Sequence, residues 1–141
     1  MLNFVIDPAF HAASHRIGVL DLCEMRLQDD ARWPWVILVP RIPGLVEIED
    51  LKPRDRNQLM EEIVCGGTAV RAIGQALDIP VEKLNVGGLG NITPQLHLHV
   101  IGRSQSDPAW PGPAWGYGSG EAYDDKARIL AIQAVKDAIR I

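Results

Sequence analysis

In Gln95-Leu96-His97-Leu98-His99-Val100-Ile101, polar and apolar side chains alternate through Val100. In a strand, successive side chains point to opposite faces. Gln95, His97 and His99 are therefore expected to line one face, while Leu96, Leu98 and Val100 enter a core. Histidine is the side chain whose ordinary pKa lies nearest neutrality, so two imidazoles on a stiff strand make a reactive surface. The plain alternative is a sheet that shows two histidines to solvent. Just upstream, Gly87-Gly88-Leu89-Gly90-Asn91 offers main-chain N–H groups with little bulk, which suits an anion. It lacks the Gly-Lys-Ser/Thr ending of a P-loop, so no metal–nucleotide site of that kind follows. A glycine-rich turn alone is often only a tight turn; its place before paired histidines gives it weight.

Working outward, Lys83 to Val86 and Leu96 to Arg103 read as strands on either side of that turn. Trp33-Pro34-Trp35-Val36-Ile37-Leu38-Val39-Pro40 is an apolar run bounded by prolines, as for a strand covered on both faces. Pro53 to Leu77 reads as a long helix with Leu59, Met60, Ile63, Val64, Val70, Ile73 and Leu77 on its apolar face, and Asp50 as a cap. Gly66-Gly67 in mid-helix implies close packing against a neighbour, because each glycine costs about 1 kcal/mol relative to alanine. Asp7-Pro8 starts a short helix to about Arg16, and Val19 to Leu27 is a strand candidate. Ser104 to Gly120, rich in Pro, Gly and Trp, is expected to be an irregular packed loop. Glu121 to Ile141 reads as a final amphipathic helix, its regular part about 121–139, with Ile129, Ile132, Val135 and Ile139 inward. Strands interrupted by a long helix indicate one α+β domain over residues 1–141 with an antiparallel sheet.

The chain has 141 residues, 47% hydrophobic and 23% charged, which is globular composition for one domain. A net charge of −4, with no basic patch interleaved with aromatics, argues against a dedicated nucleic-acid binder. No stretch approaches the about 18 apolar residues a membrane helix needs, and Met1 to Phe10 has no leader-like pattern. Cys23 and Cys65 are lone cysteines without CxxC spacing. A disulfide between them is open, but a reducing cytoplasm is the expected setting.

Gly90-Asn91-Ile92-Thr93-Pro94-Gln95-Leu96-His97-Leu98-His99-Val100-Ile101 resembles the signature of the histidine triad (HIT) superfamily, a Gly-Gln-Ser/Thr turn leading to His-x-His-x-His. Trp35 to Pro40 is similar to the family's proline-ended core strand, the helix from Pro53 sits where its main helix does, and Trp110-Pro111-Gly112 resembles a Trp-Pro segment of some branches. The resemblance covers about residues 15–116. It implies a homodimer, a nucleotide-binding cleft, and hydrolysis or transfer at the α-phosphate of a nucleoside phosphoramidate or dinucleoside polyphosphate. His97 would be the nucleophile, forming a nucleotidyl-histidine, and His99 would contact phosphate oxygens. No metal or other cofactor is required. Asn85, Gly90, Asn91 and Trp110 would join the nucleotide site, and Asp29 either meets the ribose hydroxyls or serves as a turn residue.

This sequence departs from the family's pattern at several positions. Gln95 stands at the first triad position, where the main-chain carbonyl that orients the nucleophile is retained. Trp35 stands where many members carry a fourth histidine, and the double replacement suggests that the Gln95 amide accepts from the Trp35 indole. Ile92 takes the Ser/Thr position, and Thr93, one residue later, would face away on a strand. These changes keep open a second class, a non-catalytic or weakly active nucleotide-binding protein. A third class, a metal-dependent barrel ligated by His97 and His99, wants a Glu three or four residues on, where Gly102 and Arg103 stand. His11 and His15 lie at helical spacing without an accompanying Glu or Cys. Arg103 could steer a phosphate or end a strand. Trp110, Trp115 and Tyr117 either pack the irregular loop or wall the cleft; Trp115 is expected mainly to pack, with Trp110 undecided.

Overall fold

The computed structural model describes residues 3–141; Met1 and Leu2, part of the segment read for a leader, lie outside it. Pro8–Ala13 forms α1, capped by the Asp7 carboxylate accepting from Ala9 N at 2.9 Å. Three strands follow, β1 (Ser14–Val19), β2 (Cys23–Gln28) and β3 (Trp35–Pro40). The long helix α2 (Pro53–Leu77) leads to β4 (Lys83–Gly87) and β5 (Leu98–Arg103), and α3 (Asp125–Ile139) closes the chain. The strands make one sheet in the order β1-β2-β3-β5-β4, every pairing antiparallel. An α+β fold is the result.

The two faces of the sheet do different work. Met25, Leu27, Val36, Leu38, Leu98 and Val100 point to the face covered by α2 and α3, where the main core lies. Trp35, Ile37, His99 and Ile101 point to the other face. There Phe10 packs on Ile37 and Val39, while Ala114 packs with Trp33, Trp35 and Ile101. Period-two alternation therefore assigns each residue of β3 and β5 to core or site. α2 lies directly on the strands because it has no side chain at two positions. A methyl group at Gly66 would sit 3.0 Å from Val100 Cγ2, and one at Gly67 would sit 3.0 Å from Leu84 Cδ1. The buried Glu62 carboxylate of α2 accepts from Leu22 N and Cys23 N at 2.9 and 2.8 Å, tying the helix to the β1–β2 turn.

Several expectations are corrected. The short helix stops at Ala13, not near Arg16, and Ser14 to Val19 is a strand paired with β2 as a hairpin. His15 is thus on a strand and His11 on a helix, so they do not share a helical face. Asp50 does not cap α2; its side chain accepts from Glu47 N in the short 3₁₀ turn Ile48–Asp50, and Lys52 precedes the helix. Met60, Val64 and Ile129 are exposed rather than inward, and Glu62 and Ala131 are buried in their stead. The last helix begins at Asp125, capped by Asp124 accepting from Ala127 N at 2.7 Å. A long helix packed on a five-stranded sheet also removes the metal-barrel reading at the level of architecture. Cys23 and Cys65 are free thiols, Cys23 fully buried with its pKa pushed up by burial and the nearby Glu62. No described helix is long and apolar enough to cross a membrane.

Candidate active site

The site begins with register. β5 starts at Leu98, so Gln95 and His97 lie in the approach to the strand rather than in its ladder. The alternation nevertheless holds, since Leu96 and Leu98 are buried in the core while His97 and His99 border a cleft of about 410 Å³ on the opposite face. The imidazole rings sit edge to face, 4.9 Å between centroids. Phe10 meets His97 from α1 at 4.8 Å, and Trp115 meets His99 from the loop after β5 at 5.6 Å. Residues distant in sequence thus wall both histidines.

Two hydrogen bonds define the imidazoles. Nδ1 of His97 lies 2.8 Å from the carbonyl oxygen of Gln95. A carbonyl only accepts, so Nδ1 carries the proton and Nε2 keeps its lone pair. Trp35 Nε1–H donates to Nδ1 of His99 at 3.0 Å. An indole N–H only donates, so here Nδ1 holds the lone pair and Nε2 carries the proton. Burial first, and then the neighbouring His97, lower the His99 pKa to about 4. The pair therefore sets a free lone pair on His97 beside a neutral N–H donor on His99.

The proposed Gln95–Trp35 pairing does not form. The Gln95 side chain turns to the N-terminal segment, accepting from Asp7 N at 2.8 Å and donating to Val5 O at 3.0 Å. The Trp35 indole instead donates to His99, on its own face of the sheet. The Gln95 main-chain carbonyl meets His97 Nδ1 at 2.8 Å.

Gly90 and Asn91 border a smaller, polar recess of about 260 Å³ on the other side of His97, and Asn91 reaches the main cleft as well. Ile92 and Thr93 both border the main cleft, Ile92 being 96% exposed. The expectation that Thr93 faces away fails because residues 92–97 are not yet strand. Asn85 shares the His99 face, but its Oδ1 accepts from Arg103 Nη1 at 2.8 Å and it does not line the cleft. Asp29 accepts from Tyr123 N at 3.0 Å and faces His15 Nε2 at 3.3 Å, while the adjacent Gln28 reaches the cleft. Trp110 stacks near the Arg103 guanidinium, outside the lining.

Arg103 is 1% exposed and neither steers a ligand nor ends the sheet idly. Its guanidinium donates to both Asp107 carboxylate oxygens at 2.7 and 3.0 Å, to Asn85, and to the Gly112 carbonyl at 2.8 Å. This bidentate pair pins the loop that carries Trp115. Trp115 and Phe10 are cleft residues that sequence reasoning assigned to packing or left aside. Aromatic character in an irregular loop and a short helix was the available signal, but it does not say which way the rings face.

A sequence profile described as the HIT domain matches residues 9–106. Among solved structures, a histidine triad protein from Sinorhizobium meliloti 1021 is 38% identical, with TM-score 0.86 over 96% of both chains. One from Bradyrhizobium japonicum is 36% identical, with TM-score 0.88 over 98% of this chain and 99% of that one. A third, from Marinobacter aquaeolei VT8, is 34% identical, with TM-score 0.86 over 99% and 98%. No curated protein matches the chain significantly. With the signature turn, the paired imidazoles and these likenesses in agreement, the chain belongs to the HIT domain family.

Proposed function

We propose that this HIT protein is a nucleotidyl hydrolase or transferase that works through a covalent nucleotidyl-His97. The observation that carries the reading is the 2.8 Å contact between His97 Nδ1 and the Gln95 carbonyl, which leaves Nε2 as a lone pair at the cleft. Neutral imidazole needs no strong base to attack phosphorus at pH 7. In the first step Nε2 forms a bond to the α-phosphorus, and the bond to the leaving group breaks with its electron pair. Water then attacks the nucleotidyl-histidine and His97 is regenerated. The His99 Nε2–H stabilises charge on a non-bridging oxygen during both steps.

The substrates that suit this site are a nucleoside phosphoramidate and a dinucleoside polyphosphate. The cleft lining contains no Lys or Arg. That favours a substrate with one negative charge at the reacting phosphorus over a polyphosphate chain without counter-charges. Asn91 and Gly90 of the polar recess, with Asp29, Asn85 and Trp110 at the periphery, complete our proposed nucleotide site. We also propose a cytoplasmic homodimer, for which the sheet edge at β4 and the exposed Val86, Met60 and Val64 offer surface.

Adenosine 5′-phosphoramidate and diadenosine polyphosphate, incubated with wild type and with His97→Ala, test the enzymatic reading. Turnover dependent on His97, with an adenylate adduct trapped on that residue, is expected. A wild-type rate no greater than that of His97→Ala rejects it for these substrates. Ile92 at the hydroxyl position favours a second reading, nucleotide binding without turnover. Calorimetric binding of adenosine monophosphate without hydrolysis of either substrate would select it.

A further inference from the structure

Trp35 is the residue at which the site departs furthest from a cluster of histidines, and its contact has a chemical consequence. The indole N–H, 3.0 Å from His99 Nδ1, can give a hydrogen bond but can neither accept one nor pass a proton on. A proton arriving on His99 Nδ1 would meet the indole N–H head on, with the hydrogen bond lost. The surroundings offer that cation nothing in exchange. Among the described residues, His97 is the only other titratable group in the cleft lining, and Phe10 of α1, Gln28 of β2, Ile37 of β3 and Trp115 of the following loop are uncharged. Burial and His97 act in the same direction on the ring.

We infer that Trp35 is a positioning residue that holds His99 as a neutral Nε2–H donor at neutral pH and thereby excludes it from proton transfer. In catalytic terms this rests on the nucleotidyl-histidine reading above. His99 can steady a phosphoryl oxygen, but giving up its Nε2 proton would leave an imidazolate, so it does not protonate the leaving group. The leaving group departs with the bonding electron pair and takes any proton from solvent. Rates then depend steeply on leaving-group basicity, because general-acid assistance of about 10²–10⁴-fold is absent on that side.

Imidazole ¹⁵N NMR on the wild-type protein, Trp35→Phe and Trp35→His reads the tautomer and titration of His99 directly. The wild type is expected to show a single Nε2–H tautomer for His99 at pH 7 and no titration above pH 5. In Trp35→Phe the tautomer preference is lost and the titration moves up, held below the ordinary histidine value by burial and His97, while His97 keeps its Nδ1–H signal as a control for folding. Trp35→His, whose ring can accept as well as donate, is expected to release His99 likewise. In turnover of aryl esters of adenosine monophosphate, the dependence on phenol pKa is expected to be shallower in Trp35→His than in wild type.

An Nδ1–H tautomer in the wild type, or titration of its His99 near pH 6.5, overturns the inference, and neither result needs a variant to fold. A folded Trp35→Phe with an unchanged tautomer and titration overturns it too. The expected His99 signals in a protein that turns over no nucleotide support the lock and reject the enzymatic reading alone. Turnover through His97 with a freely titrating His99 does the reverse.

Discussion

The carbonyl oxygen of Gln95 meets Nδ1 of His97 at 2.8 Å, while the Gln95 side chain points away to Val5 and Asp7. The first triad position thus holds the His97 ring through its main chain, and its side chain is free to do something else. That freedom accounts for a glutamine standing where a histidine is usual.

Gln95→Ala is expected to leave turnover within about threefold of wild type, because the orienting carbonyl survives. It should cost about 0.5–1.5 kcal/mol for each lost bond to the N-terminal segment. Steady-state kinetics and urea unfolding check the two halves separately.

Gly66 and Gly67 should respond differently to substitution. A side chain at Gly66 meets the middle of Val100 on a central strand, with Val36 behind it. Gly66→Val is therefore expected to destabilise by about 1–3 kcal/mol through overpacking. At Gly67 the obstacle is the tip of the half-buried Leu84 side chain, which can rotate aside. Gly67→Ala should be neutral or stabilising by up to about 1 kcal/mol from helix propensity. Thermal and chemical melts of the two variants test the contrast.

Arg103→Met strands the Asp107 carboxylate in a buried position. A loss of about 3–5 kcal/mol is expected, as for breaking one partner out of a buried pair. Because the pair fixes the loop bearing Trp115, tryptophan fluorescence should shift to the red even where the protein remains folded. Unfolding curves and emission spectra provide the check.

Acid should weaken the fold in two separate windows. His99 has its pKa lowered from 6.5 to about 4, so the unfolded chain binds its proton first. That contribution is complete above about pH 6.5 and is lost as pH falls toward 4, at up to about 1.4 kcal/mol per pH unit. For Asp107, burial alone would raise the pKa, but the Arg103 guanidinium and main-chain N–H donors outweigh it and bring it to about 2. Its contribution is present above about pH 4 and lost as pH falls through 2. Denaturant titrations across pH 8 to 2 should show both slopes. His99→Gln should flatten only the first, and Asp107→Asn only the second.

Repetition made much of this molecule readable from the chain alone. The bounds of α2 follow from Pro53 at its first turn and Asp78-Ile79-Pro80 at its end, and the close packing of Gly66-Gly67 follows from what glycine costs in a helix. Alternation across residues 95–101 put His97 and His99 on one face and the leucines on the other, because side-chain direction in extended chain is a local property. The hairpin at residues 14–28 was less legible. Its first strand contains Gly18 at a register shift, and its polar face hides an internal network, with Arg26 donating to Glu24 Oε2 at 2.7 Å and to Ser14 Oγ at 2.7 Å. A buried ion pair reads in sequence as a solvated turn.

By itself, then, the sequence determined the family, the helix-and-sheet plan and the placing of His97 and His99 on one face, since these depend on periodicity and on residues near one another in the chain. Only the tertiary structure decided which partner each polar group takes. Trp35 and His99 are 64 residues apart, and their hydrogen bond exists because antiparallel pairing of β3 with β5 brings them to neighbouring positions on one face. Likewise, Phe10 and Trp115 reach the cleft from α1 and from a loop pinned by Arg103. Hydrogen bonds and aromatic contacts act over a few ångströms of space, whatever the distance along the chain.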